Sequence, residues 1–131
     1  MSNIRKSGLA YLRTLSDFNP SAALAVSKFY KSEESWTREP AWWFDLPIKK
    51  IENDKEGVYY LVGKEKKGGF VVLEVPNTFL LKNINEFETR YGSRIRLHLM
   101  AEGKDRLVDK RGEGRVDFSL FERACRANNA N

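Results

Sequence analysis

Three residues at alternate positions, Arg94, Arg96 and His98, are the strongest candidates for binding chemistry in this sequence. Side chains two residues apart on a β-strand share one face and lie roughly 7 Å apart, close to the spacing of phosphates along a nucleic-acid strand. A strand with this row can therefore lay successive cations along a phosphate backbone. The same row also fits an ordinary solvated sheet face, on which the arginines pair with Glu86, Glu88 or Glu102.

A second group of cations, Lys64, Lys66 and Lys67, lies in a glycine-rich segment between two apolar runs. The runs at 58–62 and 70–75 are β-branched and aromatic, so they predict a hairpin with the lysines at its tip. These lysines would extend a nucleic-acid footprint that begins at the arginine row.

Two adjacent tryptophans, Trp42 and Trp43, stand between Pro40 and Pro47. Proline at both ends excludes a helix interior and favours a short extended segment. Neighbouring side chains on a strand point to opposite faces, so one indole is predicted in the core and the other is exposed or covered by something else. An exposed indole could stack a base or anchor a protein partner, because tryptophan is enriched at interface hot spots.

The elements that must position these residues begin with a helical segment, predicted over residues 1–35. Apolar residues between 4 and 15 recur with a ragged helical period. Asn19 followed by Pro20 has the residue types of an N-cap and a first helical position, which predicts a second helix over 22–30.

Residues 41–109 predict a sheet that contains the tryptophan segment, the lysine hairpin and the arginine row. The alternation over 94–99, with apolar residues between the polar ones, predicts a strand with one buried face. A helix near 78–91 interrupts the sheet, with Asn77 or Thr78 as its cap.

The expected fold is a single α+β domain over residues 1–131. Its N-terminal helical segment packs on a four- to five-stranded, mainly antiparallel sheet, and residues 118–127 form a short C-terminal helix. No internal repeat is evident in the sequence.

The predicted order of elements, helix, strand, hairpin strands, helix and strand, resembles the αβββαβ core of the PD-(D/E)XK nuclease superfamily. The resemblance implies an acidic residue on the second core strand and an acid-X-lysine on the third, which bind a divalent metal and activate water. The third strand here ends Glu74-Val75-Pro76, with proline in place of the lysine, and the second strand, 58–62, carries no carboxylate. Asp45 and Glu74 are the strand carboxylates that remain.

Composition limits the class of protein. A chain of 131 residues with a formal net charge of +5 suits one moderately basic globular domain and fits a polyanionic partner. The single cysteine, Cys125, excludes an internal disulfide framework and favours the reducing cytoplasm. One cysteine and one histidine also exclude a Cys/His zinc site within one chain. No apolar run approaches the roughly 20 residues needed to span a bilayer, so no membrane partner is expected.

These observations favour binding over catalysis, because no complete catalytic constellation can be assembled from the residues present. The first hypothesis is a small, cytoplasmic, non-catalytic nucleic-acid-binding module, for DNA or RNA, that uses the arginine row and the lysine hairpin. The second is a protein-interaction or inhibitor module anchored by the tandem tryptophans. The third is a degenerate metal-dependent nuclease of the PD-(D/E)XK type. No metal, cofactor or catalytic residue is predicted.

Overall fold

A computed structural model of the protein describes residues 2–123. Its helices are α1 (Ser2–Leu12), α2 (Ile48–Glu52) and α3 (Asn77–Lys82). Its strands, in chain order, are β1 (Ala23–Ser27), β2 (Ala41–Pro47), β3 (Val58–Lys64), β4 (Phe70–Pro76), β5 (Glu88–Arg90) and β6 (Arg94–Met100). Two short 3-10 helical turns are also assigned, at Ile84–Glu86 and Ser119–Phe121.

The six strands form two three-stranded sheets. Sheet 1 has the order β1-β3-β4, with β1 parallel to β3 and β4 antiparallel to β3. Sheet 2 has the order β2-β6-β5, and both of its pairings are antiparallel. The predicted α+β class is confirmed, whereas the single four- to five-stranded sheet is replaced by two smaller sheets.

The main core lies between the two sheets, because the inner face of each is apolar at alternate positions. Sheet 2 contributes Trp42, Phe44, Leu46, Ile95, Leu97 and Leu99, and sheet 1 contributes Tyr59, Leu61, Val71, Leu73 and Val75. Helix α1 covers the outer face of sheet 1, where Leu12 clusters with Tyr60, Val62 and Val72. The order of layers is therefore α1, sheet 1 and sheet 2.

The chain contains a repeated β–α–β unit that its sequence does not make evident. Strand β2 ends at Pro47 and leads through α2 into β3, while β4 ends at Pro76 and leads through α3, a 3-10 turn and the short strand β5 into β6. Each proline lies immediately before its helix, with φ of −66° and −62° respectively. Proline has no amide hydrogen to pair, so it stops the strand and presets the backbone for the helix that follows.

The first strand of each unit pairs with the last strand of the other, and the register is the same in both pairs. Pro47 lies opposite Arg94, the first residue of β6, and Pro76 lies opposite Val58, the first residue of β3. Each position of β3 therefore corresponds to a position of β6, and each position of β2 to one of β4. The two antiparallel pairs are equivalent frameworks that carry different residues.

The helix predicted over 22–30 is wrong. Residues 23–27 form β1 instead, because they pair with β3 along their whole length. The Asn19 side chain accepts a hydrogen bond from the backbone N–H of Ser21 (3.1 Å), so it organises a turn and not a helix N-terminus. Within the predicted 1–35 helical segment, α1 is a helix as expected and β1 is a strand.

The helix predicted near 78–91 ends much earlier than expected. Helix α3 stops at Lys82, and a 3-10 turn and β5 follow it. Its N-cap is Pro76, without a side-chain capping bond, while the Asn77 amide donates to the Asp54 carbonyl (2.7 Å). At the other end of the chain, the 3-10 turn at Ser119–Phe121 fits the short C-terminal helix, whose predicted residues 124–127 lie outside the described part.

Candidate nucleic-acid interface

The outer face of sheet 2 holds the predicted row of polar residues, but its members differ in exposure. The alternation over 94–99 is confirmed, because its apolar residues are fully buried on the inner face. Arg94 and Arg96 are half-buried, whereas His98 is 1% exposed. The row therefore presents two accessible cations, and the imidazole lies beneath other groups.

Aromatic rings cover His98. Trp43 stacks on the imidazole with a centroid distance of 4.4 Å and an interplanar angle of 8°. Tyr30 stacks on the other face of Trp43 at 4.7 Å, and Trp36 meets the imidazole edge-on at 5.9 Å. Burial, together with nearby arginines, lowers the pKa of His98 to about 4. The ring is therefore neutral near pH 7 and is not a cation for phosphate.

The tandem tryptophans point to opposite sides of β2, as predicted, and both are covered. Trp42 is 1% exposed, and its Nε1 donates to the Lys64 carbonyl (2.8 Å). A Cβ at Gly63 would lie 2.5 Å from the Trp42 ring, so the close approach of the indole requires glycine there. Trp43 is half-buried between two rings. Neither indole has a free face on which a base or a protein partner could stack.

A loop organised by Asp109 closes over this half of the sheet. The buried Asp109 carboxylate accepts hydrogen bonds from the backbone N–H groups of His98 (2.9 Å), Arg111 (3.1 Å) and Gly112 (3.1 Å). Burial raises the pKa of Asp109, and these three hydrogen bonds oppose the rise. The Arg111 side chain pairs with Glu88, and the hydrogen bond from Arg111 is the main cause that lowers the pKa of Glu88. The loop is a structural cover for the His98 end of the sheet.

The other half of this face is open and continues into a cleft between the outer edges of β1 and β2. The two strands meet at one end, where the backbone N–H of Trp43 donates a hydrogen bond to Ser27 Oγ (2.9 Å). Beyond this contact lies a cavity of about 330 Å³, walled by residues 24–26 of β1 on one side and by β2 on the other.

Three cations from separate elements line this cavity: Arg5 of α1, Lys50 of α2 and Arg94 of β6. We call it the basic cleft. It also has one carboxylate, Asp45, which accepts a hydrogen bond from Arg94 Nε (2.8 Å). Tyr59 lies in its wall; burial raises the pKa of this phenol, and the charges of Arg5 and Arg94 oppose the rise. Three positive charges thus face one negative charge in a space of nucleotide size.

The basic cleft is extended on both sides. A second cavity of about 310 Å³ shares Arg5 and Lys50 with it. On the outer face of sheet 2, Arg90 of β5 lies opposite Arg94, and Arg96 lies opposite Asp45 of β2 on one side and Glu88 of β5 on the other. The charges of Arg96 and Arg90 help to lower the pKa of Glu88, although neither forms an ion pair with it. The cations therefore form a strip that runs from α1 across the cleft to β5.

The lysine hairpin (Lys64, Lys66 and Lys67) is confirmed as the β3–β4 turn, with its tip exposed. It lies near the start of β2, where Trp42 bonds to the Lys64 carbonyl, whereas the arginine row begins beside Pro47 at the end of β2. Trp42 and Pro47 are five positions apart along the strand, a distance of roughly 17 Å. The structure does not bring the two predicted groups of cations together.

The carboxylates of the nuclease resemblance are also apart. Asp45 and Glu74 occupy corresponding positions of β2 and β4, two residues before each proline. Their strands turn the alternate, apolar residues toward the shared core, so the two carboxylates lie on opposite outer faces of the two sheets. Glu74 accepts a hydrogen bond from Arg123 (2.6 Å). Among residues 2–123, no group of three His, Cys, Asp or Glu side chains is arranged to hold a metal ion.

The chain matches no protein-family model, no curated protein and no solved structure. In the described part of the chain, no helix has the length and apolar character needed to cross a membrane.

Sequence reasoning missed three cations of this strip: Arg5, Lys50 and Arg90. Each lies in a segment with no local binding pattern, and the first two are on helices well separated in sequence. The lysine and arginine types were visible in the sequence, but their convergence depends on the packing of α1 and α2 against the edges of β1 and β2.

Proposed function

We propose that this protein binds a nucleic-acid strand through the basic cleft, with the phosphate backbone passing between β1 and β2 and onto the outer face of sheet 2. The observation that carries the proposal is the convergence of Arg5, Lys50 and Arg94 on one cavity. A groove lined by cations is the feature with which proteins follow a phosphate backbone.

The electrostatic arrangement favours a polyanion over a small neutral ligand. Arg94 has one carboxylate partner, while no ion pair is assigned to Arg5, Lys50, Arg90 or Arg96 within residues 2–123 (the salt bridges of the described part involve other cations). Cations held on separate, rigid elements contact phosphate with little loss of backbone entropy. They give binding that depends steeply on salt and weakly on sequence.

We propose binding without a catalytic step, because the two carboxylates that a metal-dependent nuclease would use lie on opposite faces of the molecule. The single cysteine of the sequence favours a reducing compartment, so we infer that this binding takes place in the cytoplasm.

The test is a titration of labelled DNA and RNA oligonucleotides, followed by fluorescence anisotropy, from about 50 mM salt upward. With three to five phosphates contacted on a single strand, the log-log slope of affinity against salt should be roughly −2 to −4. The variant Arg5→Ala/Lys50→Ala/Arg94→Ala should weaken binding by more than roughly tenfold and make the slope shallower by roughly two.

The matched control is Lys64→Ala/Lys66→Ala/Lys67→Ala, which removes the same charge at the far end of β2. We expect this control to bind nearly as tightly as the wild type, and thermal melts should show both triple variants folded. Equal losses in the two variants would extend the footprint to the hairpin and leave the cleft without a special role. Absence of binding at the lowest salt concentration would contradict the proposed nucleic-acid binding.

A further inference from the structure

The turn between β5 and β6 presents an aromatic ring beside the basic cleft. Tyr91 is 87% exposed, and Arg90 and Arg94 lie opposite each other on either side of the turn. The Ser93 N–H donates to the Arg90 carbonyl (3.1 Å) and closes the turn. The Ile48 N–H donates to the Ser93 carbonyl (2.9 Å), which ties the turn to the start of α2, two residues before Lys50 of the cleft.

The backbone of Tyr91 is unusual for a residue of this type. Its φ is +58° and that of Gly92 is +67°, so both central residues of the turn are left-handed. Glycine, asparagine and aspartate normally fill such positions, and a bulky ring there is uncommon. Leu107 also has a positive φ, of +70°, but it is fully buried, so packing offsets the strain. Tyr91 is exposed at positive φ, as are Arg38 (+64°) and Arg115 (+50°), and Tyr91 is the one of these three that carries a ring.

Other exposed apolar side chains in the described part of the chain do not offer the same surface. Trp36 is 60% exposed, but the Arg111 guanidinium lies 4.6 Å from its ring centroid and the His98 ring meets it edge-on. Leu120 is exposed and has no ring. The Arg90 guanidinium also lies over the Tyr91 ring, but at 5.6 Å from its centroid and with no second ring of residues 2–123 in contact, and Tyr91 keeps 87% of its surface exposed.

We propose that Tyr91 is a base-stacking residue, and that the ligand of the basic cleft is a single-stranded nucleic acid with an unpaired base lying against this ring. The inference rests on the proposed binding of nucleic acid and adds the class of ligand to it. Bases stacked in a duplex cannot offer a face to an exposed ring, whereas every base of a single strand can. Arg90 and Arg94 lie on either side of the turn that carries the ring, so phosphates that flank the stacked nucleotide would run near these two cations.

The test compares three variants at Tyr91 for binding to a single-stranded 12-nucleotide oligomer and to the duplex of the same sequence. Tyr91→Asn keeps the left-handed turn with a residue that prefers it and removes the ring. It should weaken single-strand binding by roughly five- to 150-fold, the range for loss of one stacked base, with an unchanged or higher melting temperature. Tyr91→Phe should bind like the wild type, and Tyr91→Ala should lose affinity as Tyr91→Asn does.

A second readout follows the base directly. An oligomer carrying 2-aminopurine should lose fluorescence on binding to the wild type and to Tyr91→Phe, and lose less on binding to Tyr91→Asn, because stacking quenches this base. Duplex should bind more weakly than the single strand and should not respond to the variants.

The outcomes separate this inference from the proposed function. If Tyr91→Asn binds the single strand like the wild type while the cleft triple variant does not, nucleic-acid binding stands and the stacking role is overturned, which leaves the ring available to a protein partner. Tighter binding of duplex than of the single strand would also overturn it. If neither form binds at low salt, both proposals fail together.

Discussion

Two pairs of corresponding positions in the repeated β–α–β units show how differently the two sheets use their outer faces. Tyr60 of β3 corresponds to Arg96 of β6, and Val62 corresponds to His98, since both strands begin opposite a proline. Tyr60 and Val62 are fully buried beneath α1, in a cluster with Leu12. Arg96 is half-buried, and His98 lies beneath Trp43 of β2 and the edge of Trp36 from the β1–β2 connection.

The difference lies in what covers each face. A helix can bury a sheet face with its apolar side, so the outer face of sheet 1 is sealed at Tyr60 and Val62, in the middle of β3. Sheet 2 is covered at the His98 end by the β1–β2 connection and the Asp109 loop, and it stays open at the Arg94 end. The two sheets thus share an equivalent pair of antiparallel strands, but sheet 1 carries a second core on its outer face and sheet 2 a half-open, basic face. Because of this asymmetry, the proposed binding surface lies on sheet 2.

The largest expected effect comes from exchanging the residue types of two corresponding positions, one on each outer face, and measuring the change in stability. Tyr60→Arg would bury a guanidinium beneath α1 and remove the hydroxyl that accepts a hydrogen bond from Asn19 N (3.1 Å). We expect it to lower the free energy of unfolding by about 4 kcal/mol or more, because the buried guanidinium would face Glu74, which already binds Arg123. The reverse exchange, Arg96→Tyr, should change the free energy by less than about 0.5 kcal/mol, as surface substitutions usually do.

Urea unfolding of both variants measures this asymmetry. If Tyr60→Arg yields no folded protein, Tyr60→Phe tests the same site, with an expected cost of about 1 kcal/mol for the lost hydrogen bond. Equal destabilisation by Tyr60→Arg and Arg96→Tyr would mean that the two outer faces are covered alike, contrary to the comparison.

Much of the sheet framework could be predicted from the sequence, because its signals are local. The runs at 58–62 and 70–75 and the alternation over 94–99 each predict a strand from residue type and period, and each coincides with one. Strand β1 gives no such signal. Its residues follow an apparent N-cap at Asn19, and parallel pairing with β3, which no local pattern encodes, decides its conformation.

The candidate site was less predictable, because it depends on which residues cover which. The alternation correctly assigned His98 to the polar side of β6, but Trp43 and Tyr30, distant in sequence, bury it there. Arg5 and Lys50 converge with Arg94 through the packing of two helices, which the sequence pattern does not specify. The tandem tryptophans indicated opposite faces correctly, and tertiary contacts determined that both are covered.

The burial of His98 should make stability depend on pH between about 6.5 and 4. The folded-state pKa of about 4 lies below the ordinary value of 6.5, so in this window the unfolded chain binds a proton that the folded protein does not. Stability should therefore fall as pH decreases from 6.5 to about 4, by up to about 3 kcal/mol from this residue. Val62, at the corresponding position of sheet 1, has no such dependence.

The contribution of His98 is isolated by comparison with His98→Phe, which keeps a ring against Trp43 and has no titrating group. Urea unfolding at several pH values from 7 to 4 should show a steeper loss of stability in the wild type than in the variant. Carboxylates with a lowered pKa, such as Glu88, titrate in both proteins and cancel in the difference. Parallel pH profiles would show that the imidazole is not desolvated in the folded state.

The smallest expected effect is a difference in nucleic-acid affinity between variants of the two carboxylates at corresponding positions, Asp45 and Glu74. Asp45→Asn removes the one negative charge of the basic cleft, so it should strengthen nucleic-acid binding by about two- to fivefold at low salt. Its ion pair with Arg94 is exposed, and we expect a stability change below about 1 kcal/mol. Glu74→Gln changes the net charge by the same amount on the opposite face and should leave affinity unchanged. Salt titrations of nucleic-acid affinity for both variants test this prediction. Equal gains in affinity would attribute the effect to net charge alone. Weaker binding by Asp45→Asn would show that Asp45 acts by holding Arg94 in position.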